Sequence, residues 1–121
     1  MPADTEIVAI CRTVGQGRVV DEMIFRFTHD MEMDWMLPGV PPTGRPVEVP
    51  LVVVVQLAGD EIVCERIYWD QASVLVQLGL IESAALPVVG AEAARKVLDP
   101  SRPSNELIRR VRAGHEDLGT A

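Results

Sequence analysis

Gly59-Asp-Glu-Ile-Val-Cys-Glu-Arg-Ile-Tyr-Trp-Asp-Gln71 is the stretch from which the fold is read. Gly59-Asp60 is a tight-turn signal, and the β-branched and aromatic run from Glu61 to Trp69 reads as a strand returning from a hairpin. The strand it returns along, Val47 to Leu57, is β-branched on both faces, as a central strand covered on both sides would be. Pro50 within it suggests a bulge or an unpaired edge. With Gly59 and Asp60 as the loop, Leu57 faces Ile62 and a regular ladder brings Val49 opposite Asp70. That register puts Asp70, Tyr68, Arg66 and Cys64 on one face with Val49, Leu51, Val53 and Val55, and Trp69 on the other face. A carboxylate at the end of an apolar face is the feature that needs a reason.

Upstream, Thr5 to Thr13 is a first strand and Gly15-Gln16-Gly17 its turn, followed by a second strand from Val19 to about His29. Met23, Phe25 and Phe27 give that strand one clearly apolar face. The prolines and glycines of Leu37-Pro-Gly-Val-Pro-Pro-Thr-Gly-Arg45 forbid regular structure and predict a loop at a pocket rim. Downstream of Asp70 the pattern turns helical: Gln71 to Leu80, then Gly90 to Leu98 stopped by Pro100, then a helix capped by Ser104 and ending near Ala113. Strands first and helices last predict an α+β fold: a curved, cone-like antiparallel sheet of at least four strands with short helices C-terminal to it. The expected layout is one domain over 1–121, with the sheet at 5–70, helices at 71–113 and a frayed tail at 114–121.

A chain of 121 residues buries a real core without disulfides or metals, and 48% hydrophobic with 24% charged residues is ordinary for a globular protein. The formal charge of −7 disfavours nucleic acid and anionic membranes, because phosphate recognition needs clustered Lys and Arg. The one basic cluster, Arg109, Arg110 and Arg112, reads as a positive last helical turn. Cys11 and Cys64 lie in strand-like runs without ligand spacing and read as reduced thiols. Neither a secretory signal nor an apolar run long enough to span a bilayer is present, so a cytoplasmic location is expected. No metal, phosphate-loop, nucleophile-elbow or zinc-protease pattern occurs, and no cofactor is expected.

The candidate working groups follow from that placement. Burial of Asp70 beside Tyr68, Val49 and Leu51 would disfavour its charged form, which is how a carboxyl is tuned for acid/base work. Its plainer role is the N-cap of the helix that starts at Gln71. Tyr68 is a hydrogen-bond donor for a ligand carbonyl or enolate, or else simply core with its hydroxyl at the rim. His29-Asp30-Met31-Glu32-Met33-Asp34 crowds an imidazole and three carboxylates at a strand end, either a proton-transfer site or a solvated terminus. Met23, Phe25 and Phe27 would line the pocket from the second strand, and Val49, Leu51 and Val53, with Arg66, from the hairpin. His115 lies in the tail with no role assigned.

Pro42-Thr-Gly-Arg45, the strand end Gln56-Leu57, Glu65-Arg-Ile-Tyr-Trp-Asp-Gln71 and Gln77-Leu-Gly79 together resemble the nuclear transport factor 2-like superfamily, nearest the SnoaL-like polyketide cyclases and limonene epoxide hydrolases. The resemblance covers roughly Val19 to Leu80 and implies a cone-shaped sheet closing over helices, with an aspartate at the position of Asp70 reaching into the cone. By that likeness Asp70 would be the general acid/base acting on a polyketide. Two departures stand out. The Arg-x-Asp pair of the epoxide hydrolases falls near Asp30-Met31-Glu32 without its arginine, which disfavours epoxide hydrolysis, and no histidine lies near Gln56 to act as a cyclase partner. The chain also opens with a strand where the family has helices that floor the pocket, so either Met1 is an internal methionine of a longer protein, or the C-terminal helices or a second subunit cover the sheet, and a homodimer is expected.

Two functions are therefore expected. One is a small-molecule enzyme of the cyclase, isomerase or hydratase kind, using Asp70 and Tyr68 with His29, Asp30 or Glu32 on an apolar or polyketide-like substrate. The other is a non-catalytic ligand-binding or dimerisation module in which Asp70 only caps a helix.

Overall fold

Two-residue loops at Gln16-Gly17 and Gly59-Asp60, each with its glycine at positive φ (69° and 63°), fold the chain into tight hairpins. The computed structural model describes residues 1–84, 86–104 and 106–119, without the side chains of 115–119. Strands β1 (Glu6–Gly15), β2 (Arg18–Thr28), β3 (Pro46–Ala58) and β4 (Glu61–Trp69) form one antiparallel sheet in the order β1-β2-β3-β4. Helices α1 (Gln71–Gln77), α2 (Glu92–Leu98) and α3 (Glu106–Gly119) follow. The α+β architecture with its curved, open antiparallel sheet is the one expected from the sequence. Pro50 lies inside β3, one residue past the point where pairing with β4 stops at Leu51–Trp69, a place where a missing N–H costs the sheet least.

Two bulges decide which side chains face the core. On β1 the register shifts between Ala9 and Cys11, leaving Ile10 unpaired against β2. On β4, Leu57 pairs with Ile62 as expected, but Gln56 then pairs with Cys64, so Val63 is an extra residue. Side-chain direction alternates along a strand, and one added residue therefore reverses every position beyond it. Trp69, Ile67 and Glu65 consequently share the inner face with Leu51, Val53 and Val55. Tyr68, Arg66 and Cys64 share the outer face with Val52, Val54 and Gln56, a correction to the faces expected for these three residues and for Trp69. Bulges also bend and twist the strand that carries them, which suits a cupped sheet.

The inner face is packed at one end and open at the other. Phe25, Phe27, Val47, Val49 and Leu51 are buried there beneath Met33, Met36 and Leu37, which the segment between β2 and β3 folds inward. That segment is more than a rim loop: Leu37 N–H donates to Met33 O at 2.7 Å, closing a turn over the core. Val74 and Leu78 of α1 complete the cluster. Ile24, on the outer face opposite Pro50, is fully buried, as is Ala94 of α2, which packs against β3.

Asp70 caps α1, its Oδ1 accepting from Ser73 N at 3.1 Å. At the other end Gly79 N–H donates to Val76 O and Leu80 N–H to Leu75 O, a Schellman closure with Gly79 at φ 75°. Helix α2 starts at Glu92, two residues after the expected Gly90, and Arg110 of α3 binds Glu92. Helix α3 continues to Gly119, past the expected end at Ala113 and through most of the segment expected to fray. The cap expected from Ser104 falls at a junction whose residue 105 lies outside the described residues, as does the side chain of His115.

Candidate functional site

The open end of the inner face is a cavity of about 420 Å³. Its floor is Met23, Leu51, Val53 and Val55, with Ile7 of β1 on one flank and Ile67 of β4 on the other. These positions follow from the register: Met23 lies opposite Leu51, and Val53 lies between Asp21 and Ile67. Phe25 and Trp35 close the end that meets the packed core. Their rings lie edge to face with centroids 5.6 Å apart, and Trp35 meets Trp69 in the same way at 5.5 Å. Trp69 Nε1 donates to Gln71 Oε1 at 2.7 Å and Gln71 Nε2 donates to Met36 O at 2.7 Å, tying the end of β4 to the segment that carries Trp35.

Two carboxylates line the other end, Asp21 and Glu65. Arg12 reaches across from β1 to take both oxygens of Asp21, at 2.6 Å to Oδ1 and 2.9 Å to Oδ2. Those hydrogen bonds, helped by the guanidinium charge and opposed by desolvation, hold the Asp21 carboxyl below the usual carboxylate range. Glu65, paired with Val55, makes no hydrogen bond or ion pair through its side chain among the described residues. No group of His, Cys, Asp and Glu able to hold a metal ion occurs among the described residues.

The residues expected at the site are spread around the sheet. Of the expected lining, Met23, Phe25, Leu51 and Val53 border the cavity, while Phe27 and Val49 are sealed in the core beside it. Arg66 points to the outer face, where its Nη1 meets Cys64 Sγ at 3.5 Å. Tyr68, on that same face, is 57% exposed. Asp70 is exposed and does not border the cavity, so the burial expected to tune it for acid/base work is absent. Asp30 and Glu32 are also exposed, Glu32 accepting from Gly39 N at 3.3 Å. His29, by contrast, is completely buried. Its Nδ1 accepts from Thr43 N at 3.2 Å and lies 3.0 Å from Thr43 Oγ1, which assigns the ring proton to Nε2. Nε2 has no partner among the described residues. The imidazole thus anchors the β2–β3 segment and does not border the cavity.

Sequence reasoning missed Trp35, Asp21, Glu65 and Ile67. One signal was there, confined to the end of β4: Ile67 and Trp69 are more apolar than Arg66 and Tyr68, the opposite of what an unbulged ladder would put inside.

Comparison with solved structures places this architecture. A protein from Jannaschia sp. CCS1 classed provisionally as a SnoaL-like polyketide cyclase superposes with a TM-score of 0.56 at 27% identity, over 64% of this chain and 51% of its own. IdmH from Streptomyces antibioticus, provisionally a polyketide cyclase, gives 0.50 at 29% identity, over 63% and 52%. TsrD from Streptomyces laurentii shares the fold alone, with a TM-score of 0.58 at 19% identity over 64% and 55%. The chain therefore has the SnoaL-like fold of the nuclear transport factor 2-like type that its sequence pattern resembles. It spans about half the length of the structures it matches. No family model and no curated protein matches it. No described helix is long and apolar enough to cross a membrane.

Proposed function

We propose that the cavity on the inner sheet face takes up a small, largely apolar, polyketide-like molecule, and that the chain acts on it by cofactor-free proton transfer as a cyclase, isomerase or hydratase does. The observation that carries this is the distribution of polarity: an apolar floor two strands wide with carboxylates confined to one end. A ligand pocket has that composition, apolar walls with few polar groups that fix orientation. The cyclase-like neighbours support the same substrate class. The test is calorimetric titration with a neutral aromatic alcohol such as 9-anthracenemethanol. The wild-type chain binds it, and Val53→Trp, which fills the floor, abolishes binding while a single cooperative unfolding transition is retained, at a lowered midpoint because Val53 is buried. Binding that survives Val53→Trp places the ligand elsewhere and ends this reading.

One observation favours a second reading, a binding module without chemistry: Asp70 sits in water and satisfies a helix end. Asp70→Asn separates the two in any turnover assay with a cyclisable polyketide analogue. Loss of turnover with ligand affinity unchanged assigns Asp70 the proton; an unaffected rate removes it from the mechanism. Self-association belongs to the same proposal, since Ile7, Trp35 and Ile67 leave the cavity mouth apolar and exposed.

A further inference from the structure

From the two carboxylates of the cavity we infer that Glu65 is its recognition group and selects apolar ligands carrying a cationic amine over neutral or acidic analogues. The inference rests on the cavity reading above and deepens it. Asp21 and Glu65 border the same cavity but are in different states. Both oxygens of Asp21 are already taken by Arg12, and the pair is close to neutral as a unit. Glu65 stands on the inner face and makes no hydrogen bond or ion pair through its side chain among the described residues, including with the amino group of Met1, which lines the same cavity. Strand spacing sets the two carboxylates on the order of 12 Å apart across the floor, so a ligand on Val53 and Val55 reaches Glu65 without disturbing the Arg12 pair.

Charge complementarity fixes the class of ligand. An ammonium placed over Val55 gains a charge-assisted hydrogen bond to Glu65. A carboxylate there meets an unpaired like charge, inside the field of a chain whose formal charge is −7. The residue that would offset this repulsion, Arg12, is committed to Asp21. Val63, the extra residue of the bulge, is what turns Glu65 inward; in an unbulged ladder that kept Val63, Glu65 would lie opposite Val54 and face outward.

The experiment compares three ligands of one ring system at pH 7: 9-anthracenemethylamine, 9-anthracenemethanol and 9-anthracenecarboxylate. The wild-type chain is expected to bind the amine roughly five- to tenfold more tightly than the alcohol, and the carboxylate more weakly than either, the modest ratio reflecting a solvent-accessible carboxylate. Glu65→Gln makes amine and alcohol equal and leaves the affinity for the alcohol unchanged. Equal binding of amine and alcohol by the wild type overturns the assignment to Glu65 and leaves the cavity standing. A preference that survives Glu65→Gln overturns it too, and assigns selectivity to the acidic field of the whole chain. Failure of the wild type to bind the alcohol, or alcohol binding indifferent to Val53→Trp, removes the cavity and the inference with it.

Discussion

Asp70, Asp21 and His29 are each held by a defined partner, and each partner predicts a measurable cost. Asp70 satisfies Ser73 N at the start of α1, so Asp70→Ala is expected to lower stability by about 1 kcal/mol in urea denaturation, and Asp70→Asn, which caps as well, by a few tenths at most. Asp21 is held below its ordinary pKa by Arg12, chiefly through hydrogen bonds. A carboxyl depressed in the folded state stabilises it fully above the unfolded value of about 4 and loses that contribution as pH falls through the folded value. Arg12→Gln should therefore raise the Asp21 titration toward the ordinary range by carboxyl NMR and flatten the loss of stability below about pH 4. His29 fills a sealed site and accepts from Thr43 N, so His29→Ala is expected to cost about 2–4 kcal/mol, a packing loss that moves ligand affinity little because the ring lies outside the cavity.

At the level of elements, the two short devices that set the site are a helix stop and a strand insertion. Gly79 closes α1 in the left-handed region, where any side chain is strained, and an added Cβ would also press on the Arg45 guanidinium. Gly79→Ala is expected to cost about 1–2 kcal/mol by the same denaturation measurement. Deleting the exposed Val63 would join Ile62 to Cys64 in one regular ladder and keep every pair from Cys64 to Trp69, so the fold should survive it; deleting Arg66 would make Glu65 and Ile67 neighbours on opposite faces, so that one of the two leaves the inner face, and should lower the thermal midpoint further. The strands and α1 were legible from composition because turns, β-branched runs and a Pro-rich loop each carry a local signal, and Gly59-Asp60 gave the start of the β3–β4 register correctly. The site was less legible. A bulge has no short-range sequence rule, and a single inserted residue moved Tyr68 and Arg66 out and Trp69 and Glu65 in. Trp35 came from a segment read as irregular chain, whose inward fold depends on burying Met33, Met36 and Leu37 against strands distant in sequence.

For the molecule as a whole, a sheet packed at one end and open at the other leaves apolar side chains at a mouth that ligand or a second copy can cover. Sedimentation at micromolar concentration is expected to show a dimer, and a monomer at all accessible concentrations would withdraw self-association without touching the ligand reading. The aromatic corner adds a practical consequence. The chain contains only two tryptophans, Trp35 and Trp69, and they touch each other, with the Trp35 ring forming part of the cavity wall. All indole emission therefore originates within a few ångströms of the place a guest would sit. A shift in its colour or brightness on adding a candidate compound reports occupancy directly, with no label attached, whatever the chemical identity of the guest.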